Sequence, residues 1–549
     1  MSEVEYHNRI DEIRKRLACY RPISVLARVL EHLHRSQNQK IPAMGMPWIA
    51  LFMLKISMQE SVKGNREMTE REFGRFANSI YKLQSVACPL DSDALQLQMR
   101  PMVLQQAYYQ GSVMFDVKTL TRQMLWFVKP GSIYDSKFQE SYGFTLEQFY
   151  LLSLYMVVAV ASDAKGVVGV NLFDLIAKIG PSIPLSVIVK YLTLLSLRPE
   201  GLRDFFVEHT VPGELYQQSE YFQTTPLRKK PLLLNGDEIL MLHPKLFSRS
   251  ISMLMPDLLK AMRDWGAERS GFKNYFGSDM ERYIRDLLTF SEIQFVAEAQ
   301  LDNRCRAGSV APGKMVDYLI PGEINVLFES KAIEPGDIVS SVFDPELLRA
   351  HLKGSFIKGI EQCQESVHRL RQLEDFHETE FFGVVVTHED FWFASAADIV
   401  NYVDPDLEAR ILQKFGAIPM PFENILFITI DVVEGLIGAL SRGEINLPEV
   451  LADCVETMKT PAGKRFTMSH LVEEKMRGTL KGHPMLMTKA EDWFRFFEKS
   501  LAVNARLWSG RVRDLFEFRH QALTHLHLNL DDCEKGKINP GAPHRSIGL

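Results

Sequence analysis

Two short apolar segments, 315–320 and 326–332, most constrain how this chain can fold. Both are rich in β-branched and aromatic residues, and the polar residues between them are typical of a turn. A segment with helical periodicity, 277–288, precedes them. A helix followed by two paired strands predicts a mixed sheet with helices packed on its faces.

The two predicted strands carry polar residues in a pattern that suits phosphodiester cleavage. Asp317 lies on the first strand, and Glu329 and Lys331 lie on the second. Because strand side chains alternate between faces, Glu329 and Lys331 point the same way and Ser330 points away. Carboxylates are the hard ligands that Mg2+ prefers, and a neighbouring lysine stabilises developing negative charge. Glu281, on the preceding helix, would add a fourth polar group.

These residues resemble the PD-(D/E)XK nuclease superfamily, although Val316 stands where the family name has proline. The resemblance implies that Asp317 and Glu329 are metal ligands and that Lys331 is the catalytic lysine. It also matches Glu281 to the acidic residue that many members carry on the first core helix, where it would join the metal ligands. The cofactor implied is Mg2+, with Mn2+ as a substitute, and the substrate implied is DNA.

The order of predicted elements agrees with that family, whose core is a helix, three strands, a helix and a strand. Residues 344–370 read as a helix with an Asp N-cap and a proline at its first position. A buried-strand pattern follows at 380–387. Gln362 or Gln364 would match the glutamine that some members place near the site. We therefore expect an α/β restriction-endonuclease-like core, a mixed sheet flanked by helices, over 270–445.

The remaining chain reads as mainly helical. Residues 1–225 are predicted to form a helical module that senses a signal or supports oligomerisation, and 226–269 a hairpin with a connecting helix. Residues 446–549 are predicted to form a helical C-terminal region that ends in a polar tail. Asn235-Gly236 predicts a hairpin with a type I′ turn. A length of 549 residues accommodates several such domains.

Two apolar helices are predicted at 171–179 and 184–197, on either side of a short turn. This spacing allows a helix-turn-helix and hence a DNA-reading or winged unit. Few basic residues line the second helix, which favours simple helical packing instead.

Composition narrows the classes of partner and compartment. The formal net charge of −6 argues against nonspecific coating of nucleic acid, but it leaves room for a local basic groove. The six cysteines include no C-x-x-C pair, which indicates a reduced, cytoplasmic, zinc-free protein. The first twenty residues are charged, unlike a secretory signal, and the apolar stretch 149–161 is too short to span a bilayer.

Residues 308–314 match most of a phosphate-binding P-loop, but Met315 follows where serine or threonine is needed. The segment also leads into a strand, whereas a P-loop opens a helix, so ATP binding is rejected. A flexible loop fits better, and Arg304, Arg306 and Lys314 either contact a phosphate backbone or are simply solvated.

Arg519 and His525 resemble the Arg-x4–6-His motif of HEPN ribonucleases, which would cleave RNA without metal. A charged helix face explains them more simply.

Three hypotheses therefore stand. The favoured one is a metal-dependent DNA endonuclease, by analogy a restriction or anti-phage defence protein, with a homo-oligomer and a phage-derived or protein trigger as partners. The others are the HEPN-like ribonuclease and a noncatalytic nucleic-acid-binding scaffold.

Overall fold

The computed structural model describes residues 2–36, 45–88, 95–110, 113–161, 169–180, 182–211, 213, 215–262, 265, 271–332 and 337–528. The chain is a mixed α/β protein with many helices and two mixed sheets. The described residues include neither Cys533 nor the polar tail that was expected beyond Asp531.

The chain divides into two compact units. The first comprises Met1–Leu90, Met102–Met262 and Ala490–Leu549, and the second comprises Asp91–Pro101 and Arg263–Lys489. This division differs from the four predicted segments. The hairpin region belongs with the first unit, and the predicted C-terminal region is shared between both.

The first unit is mainly helical, as expected for residues 1–225. Its helices are α1 (Ser2–Leu17), α2 (Pro22–Ser36), α3 (Pro47–Gln59), α4 (Glu70–Ala87), α5 (Leu95–Ala107, from Met102 onwards), α6 (Val113–Phe127), α7 (Ile133–Tyr142), α8 (Leu146–Ala161), α9 (Leu172–Ile179), α10 (Leu185–Leu195), α11 (Leu202–Glu208), α12 (Gln218–Phe222), α13 (Pro244–Ala261), α24 (Pro484–Leu507, from Ala490 onwards) and α25 (Val512–His525).

A small sheet accompanies these helices. Its strands are β1 (Gly169–Asn171), β2 (Ser196–Leu197), β3 (Leu232–Asn235) and β4 (Glu238–Met241), in the order β1-β4-β3-β2. The predicted hairpin is present, but the type I′ turn centred on Asn235-Gly236 is wrong. Asn235 pairs with Glu238, so the loop residues are Gly236 and Asp237, and of these only Gly236 has a positive φ, 61°. A glycine at the first loop position is typical of a type II′ turn.

The two helices predicted at 171–197 are α9 and α10, and α25 packs against both. The Phe516 ring lies 5.2 Å from that of Phe173, and Trp508 Nε1 donates to the carbonyl of Ala177 at 2.8 Å. The most buried face of α10 is apolar. Helical packing thus accounts for the apolar pattern of this segment.

Two buried histidines lie in the core of the first unit. His243 is the N-cap of α13, where its Nδ1 accepts from the N–H of Lys245 at 3.1 Å. His34 Nε2 lies 3.1 Å from the carbonyl of Met241. Burial lowers the pKa of His243 to about 3 and that of His34 to about 4, so both are neutral near pH 7.

The second unit contains a five-stranded sheet and the helices around it. Its strands are β5 (Val296–Ala297), β6 (Tyr318–Ile320), β7 (Ile324–Lys331), β8 (Glu380–Thr387) and β9 (Ile425–Thr429). Its helices are the start of α5, α14 (Phe272–Phe290), α15 (Glu298–Ala307), α16 (Asp337–Ser341), α17 (Pro345–Leu352), α18 (Lys358–Leu370), α19 (Ala396–Tyr402), α20 (Asp406–Phe415), α21 (Ile430–Ser441), α22 (Leu447–Lys459), α23 (Met468–Lys475) and the start of α24.

The sheet runs in the order β5-β6-β7-β8-β9. The first two pairings are antiparallel, and β7-β8 and β8-β9 are parallel. Leu327 and Val385 on one face pack against Ile360, Cys363 and other apolar residues of α18. By alternation, Glu329 and Lys331 belong to this same face, at the carboxyl end of β7.

The predicted helix over 344–370 is interrupted. Helices α17 and α18 are joined by a π-helical turn, Lys353–Ile357, which the apolar periodicity did not indicate. The expected N-cap is confirmed, since the Asp344 side chain accepts from the N–H of Leu347 at 2.8 Å.

In the part of the chain that the structure describes, no helix combines the length and apolar character needed to cross a membrane. The apolar stretch singled out in the sequence lies in α8, which has sixteen residues. All five described cysteines are free thiols.

Candidate active site

Asp317 is the residue immediately before β6. Because Tyr318 pairs with Phe328, continuing that register by one residue sets Asp317 opposite Glu329. Its Oδ2 accepts two hydrogen bonds, both of 2.6 Å, from the N–H and the hydroxyl of Ser330. From strand alternation, Ser330 was expected only to point away from the site. It instead anchors the first carboxylate.

Lys331 connects the second strand to α18. Its ammonium donates to the carboxylate of Glu329, and at 2.8 Å to Oε1 of Gln362. Of the two candidate glutamines, Gln362 is the one that contacts the lysine. Gln364 is fully buried and bonds at both ends of its amide to the backbone of Met420, away from the lysine.

Burial and mutual repulsion perturb the two carboxylates. Burial, together with the charge of Asp317, raises the pKa of Glu329 to about 8, against the opposing effect of Lys331. Burial also raises the pKa of Asp317, although the Ser330 bonds act the other way. Glu329 is 1% exposed, and its Oε2 has no hydrogen-bond partner. The raised pKa means that the neutral form of Glu329 is favoured near pH 7, and a cation bound at its carboxylate would favour the ionised form instead.

Two further carboxylates lie close enough to interact with Asp317. Burial and then Asp317 raise the pKa of Glu281 on α14, and they raise that of Glu298 at the start of α15 in the same order. Tyr318 ties β6 to α14 by donating from its hydroxyl to the carbonyl of Glu281 at 3.0 Å. Glu298 was missed in the sequence. Its signal was an acidic residue in the first turn of a short helix, with Gln300 at the capping position.

A stripe of polar residues on α18 holds the segment that leads into Asp317. Glu365 accepts from the N–H of Lys314 at 2.9 Å, and Ser366 accepts from the N–H of Val316 at 2.9 Å. Arg369 is nearly buried and donates to the carbonyls of residues 311, 313 and 314, at 3.1, 3.0 and 3.3 Å. It also bonds Asp302 at 2.8 Å. The predicted flexible loop at 308–314 is therefore anchored on the same helix that contacts Lys331.

The P-loop-like segment runs into β6 rather than into a helix, as expected. Of the basic residues in and around it, Arg306 forms an ion pair with Asp302, while Arg304 and Lys314 are exposed.

The structure does not bring Arg519 and His525 together as a pair. Both lie on α25, six residues apart, which is about 120° around a helix. Arg519 forms an ion pair with Asp237 of the β3-β4 turn, and His525 is exposed.

Among the described residues, no group of three or more His, Cys, Asp and Glu side chains is arranged to hold a metal ion by itself. The expected set of three ligands, Asp317, Glu329 and Glu281, is thus not assembled, and Asp317 and Glu329 are left as a pair of carboxylates. Mg2+ is usually bound in proteins by one or two carboxylates, with waters and substrate phosphates completing its shell. The donor set, with an unpartnered buried oxygen on Glu329, fits such an ion.

Comparison of the chain with protein-family models, with curated proteins and with solved structures finds no match in any of the three. The geometry of the site is thus the ground on which a function is assigned.

Proposed function

We propose that this protein is a metal-dependent endonuclease of the PD-(D/E)XK type that hydrolyses phosphodiester bonds in DNA. One observation carries the proposal. Lys331, on the strand opposite Asp317, bonds both the Glu329 carboxylate and Gln362 of the following helix. The order α14, β5, β6, β7, α17–α18, β8 also agrees with the element order expected from the resemblance, once the added helices α15 and α16 are set aside and α17 and α18 are counted as one interrupted helix.

Asp317 and Glu329 would hold Mg2+, or Mn2+ in its place. When bound, the cation polarises a phosphoryl oxygen and lowers the pKa of its water. Glu281 and Glu298 would act on this pair through their charge and through hydrogen bonds to bound water. With two carboxylates rather than a full cage, affinity for the ion depends on the phosphate of the substrate.

The protein's own residues would perform the remaining tasks. The Lys331 ammonium stabilises the negative charge that develops on the phosphate oxygens. Gln362 fixes the direction of that ammonium, and Ser330 fixes the Asp317 carboxylate. The polar stripe on α18 holds the segment before Asp317, and Gln362 of the same helix contacts Lys331. Both strands of the site are therefore positioned by one helix.

The proposal is tested by incubating plasmid, linear duplex, single-stranded DNA and RNA with the full chain in Mg2+, Mn2+ or EDTA. Wild type is compared with Lys331→Met and with Lys481→Met, an exposed lysine of the same unit. We expect metal-dependent DNA cleavage that falls at least a hundredfold in Lys331→Met and stays within twofold in the control. Cleavage that survives Lys331→Met would contradict the proposal.

The two alternatives have separate signatures in the same assay. RNA cleavage that persists in EDTA and is lost in His525→Ala would favour the HEPN-like ribonuclease. Absence of cleavage with every metal, together with Mg2+ affinity that is the same in wild type and Asp317→Asn, would favour the noncatalytic scaffold.

The biological setting that we propose, restriction or anti-phage defence with a phage-derived or protein trigger, rests on analogy. Cells producing the wild type should then resist phage, and cells producing Lys331→Met should not. A homo-oligomer would let a chain with one site cut both strands, and sedimentation of the full chain with and without DNA tests it.

A further inference from the structure

An exposed lysine lies one helical turn from Gln362, the residue on α18 that accepts from the candidate catalytic lysine. Lys358, the first residue of α18, precedes Gln362 by four residues, and residues four apart share a helix face. Gln362 Oε1 is 2.8 Å from Lys331 Nζ. A methyl group placed on Gly359, the neighbour of Lys358, would lie 3.6 Å from Lys331 Cε. Lys358 is therefore beside the site but in solvent.

The π-helical turn before α18 extends this lysine face. In an α-helix, residues five apart point to clearly different sides, whereas the i→i+5 bonding of a π turn brings residue i+5 close to the side of residue i. Lys353 begins the turn and Lys358 follows its end, five residues later, and both are exposed. The interruption of the helix thus sets Lys353 and Lys358 closer to one side than an unbroken α-helix would.

A third lysine reaches the same place from another element. Lys273, in the first turn of α14, has its Nζ 3.9 Å from where a Cβ on Gly354 would be. Gly354 directly follows Lys353, so the Lys273 ammonium lies beside the π turn that Lys353 begins and Lys358 follows.

These lysines differ from two basic residues of the same unit that are held in ion pairs. Arg306 is paired with Asp302, and Lys414 with Glu365, at the far end of α18. Within the part of the chain that the structure describes, Lys273, Lys353 and Lys358 form no ion pair. Gathering like charges without counter-charges is unfavourable unless an anion binds there.

We propose that Lys273, Lys353 and Lys358, here called the lysine strip, bind the phosphate backbone of duplex DNA and lead it to the site at Glu329 and Lys331. This inference rests on the proposed function and names the path of its substrate. From Gln362 back to Lys353 is nine residues, or about 13 Å at the α-helical rise. That length corresponds to about four base pairs of DNA.

The test measures binding without chemistry. A labelled 30-base-pair duplex is titrated with the full chain in EDTA at several salt concentrations, using fluorescence anisotropy. The strip variant carries Lys273→Ala, Lys353→Ala and Lys358→Ala. The control removes the same charge from three exposed lysines of the first unit, Lys63, Lys82 and Lys260. Circular dichroism confirms that each variant is folded.

We expect the strip variant to bind at least tenfold more weakly at 100 mM salt. The slope of log binding constant against log salt concentration should be shallower by about one for each phosphate that a lysine no longer neutralises. The binding constant of the control should stay within twofold of wild type. Equal binding by the strip variant and wild type, or no binding by wild type, overturns the strip. Metal-dependent cleavage with unchanged strip-variant binding would reject the strip but retain the nuclease. Weakened binding without any cleavage would retain the strip but reject the nuclease.

Discussion

Replacing Arg369 by alanine should release the segment that precedes Asp317 while leaving the rest of the second unit folded. The guanidinium makes three bonds to carbonyls of residues 311–314 and one to Asp302, and its side chain is 4% exposed. Nothing else on α18 can replace these bonds, because Glu365 and Ser366 bind N–H groups of the segment instead.

The magnitude follows from what the substitution leaves behind. Breaking a buried charge pair costs about 3–5 kcal/mol when the remaining charge stays buried. Asp302 is 21% exposed and keeps Arg306 as a partner, and residues 311–314 face solvent, so water compensates part of the loss. We therefore take the low end, about 3 kcal/mol. Each 1.4 kcal/mol is tenfold, so the local opening equilibrium should shift about a hundredfold.

The assay is amide hydrogen exchange of the full chain, read by mass spectrometry on peptides covering 311–320. The N–H of Val316 is a direct reporter, since it is bonded to Ser366. Protection there should fall about a hundredfold in Arg369→Ala, while peptides of β8 keep theirs. Arg371→Ala, an exposed arginine at the end of the same helix, is the matched control and should change nothing. Unchanged protection in Arg369→Ala would refute the anchoring role.

Three other expectations follow from the described geometry. His243 is neutral when folded and protonates below about pH 6.5 when unfolded, so the free energy of unfolding should fall on acidification, by about 2 kcal/mol at pH 5. His243→Asn keeps an N-cap acceptor and should remove that loss in pH-dependent urea titrations; an unaltered acid profile would contradict this. Gly236→Ala should destabilise the protein by about 1–2 kcal/mol, because Gly236 has a positive φ. Gly74→Ala, in α4, should stabilise it by about 0.5–1 kcal/mol, because alanine is the better helix former and the added methyl group meets nothing. If both substitutions shift the melting temperature in the same direction, this reasoning is wrong. Gly359→Ala would place a methyl group 3.1 Å from Cγ1 of Val385, which is tighter than ordinary contact, so it should destabilise the second unit by about 1–3 kcal/mol in urea titrations. Unchanged stability would count against this close approach of α18 to β8.

The elements that sequence could place are those defined by apolar period and by caps. β8 was predicted at its observed bounds because residues 381–386 are an uninterrupted apolar run between Glu380 and Thr387. The start of α17 was evident from Asp344-Pro345, whose N-cap bond depends only on local sequence. The alternation of β7 set Glu329 and Lys331 on one face, and their contact follows from it.

Other features depend on contacts distant in sequence. Nothing local reveals that Ser330 holds Asp317, because their bond follows from the register of two strands. The π turn at Lys353–Ile357 was not predicted from the spacing of apolar residues, because one extra residue in a turn changes that spacing too little to be noticed. Glu298 lies near Asp317 because α15, which begins at Glu298, is inserted between β5 and β6, and the sequence did not predict this helix.

The way in which the chain is shared between the two units has a consequence for how the protein is made. Every residue of the second unit has been synthesised once Lys489 is reached, but the first unit still lacks Ala490–Leu549, which includes α25 and its packing on α9. Domains generally fold as units, in the order in which the ribosome completes them. The first unit is therefore completed after the second, and its early segments remain without the packing of α25 while the second unit assembles.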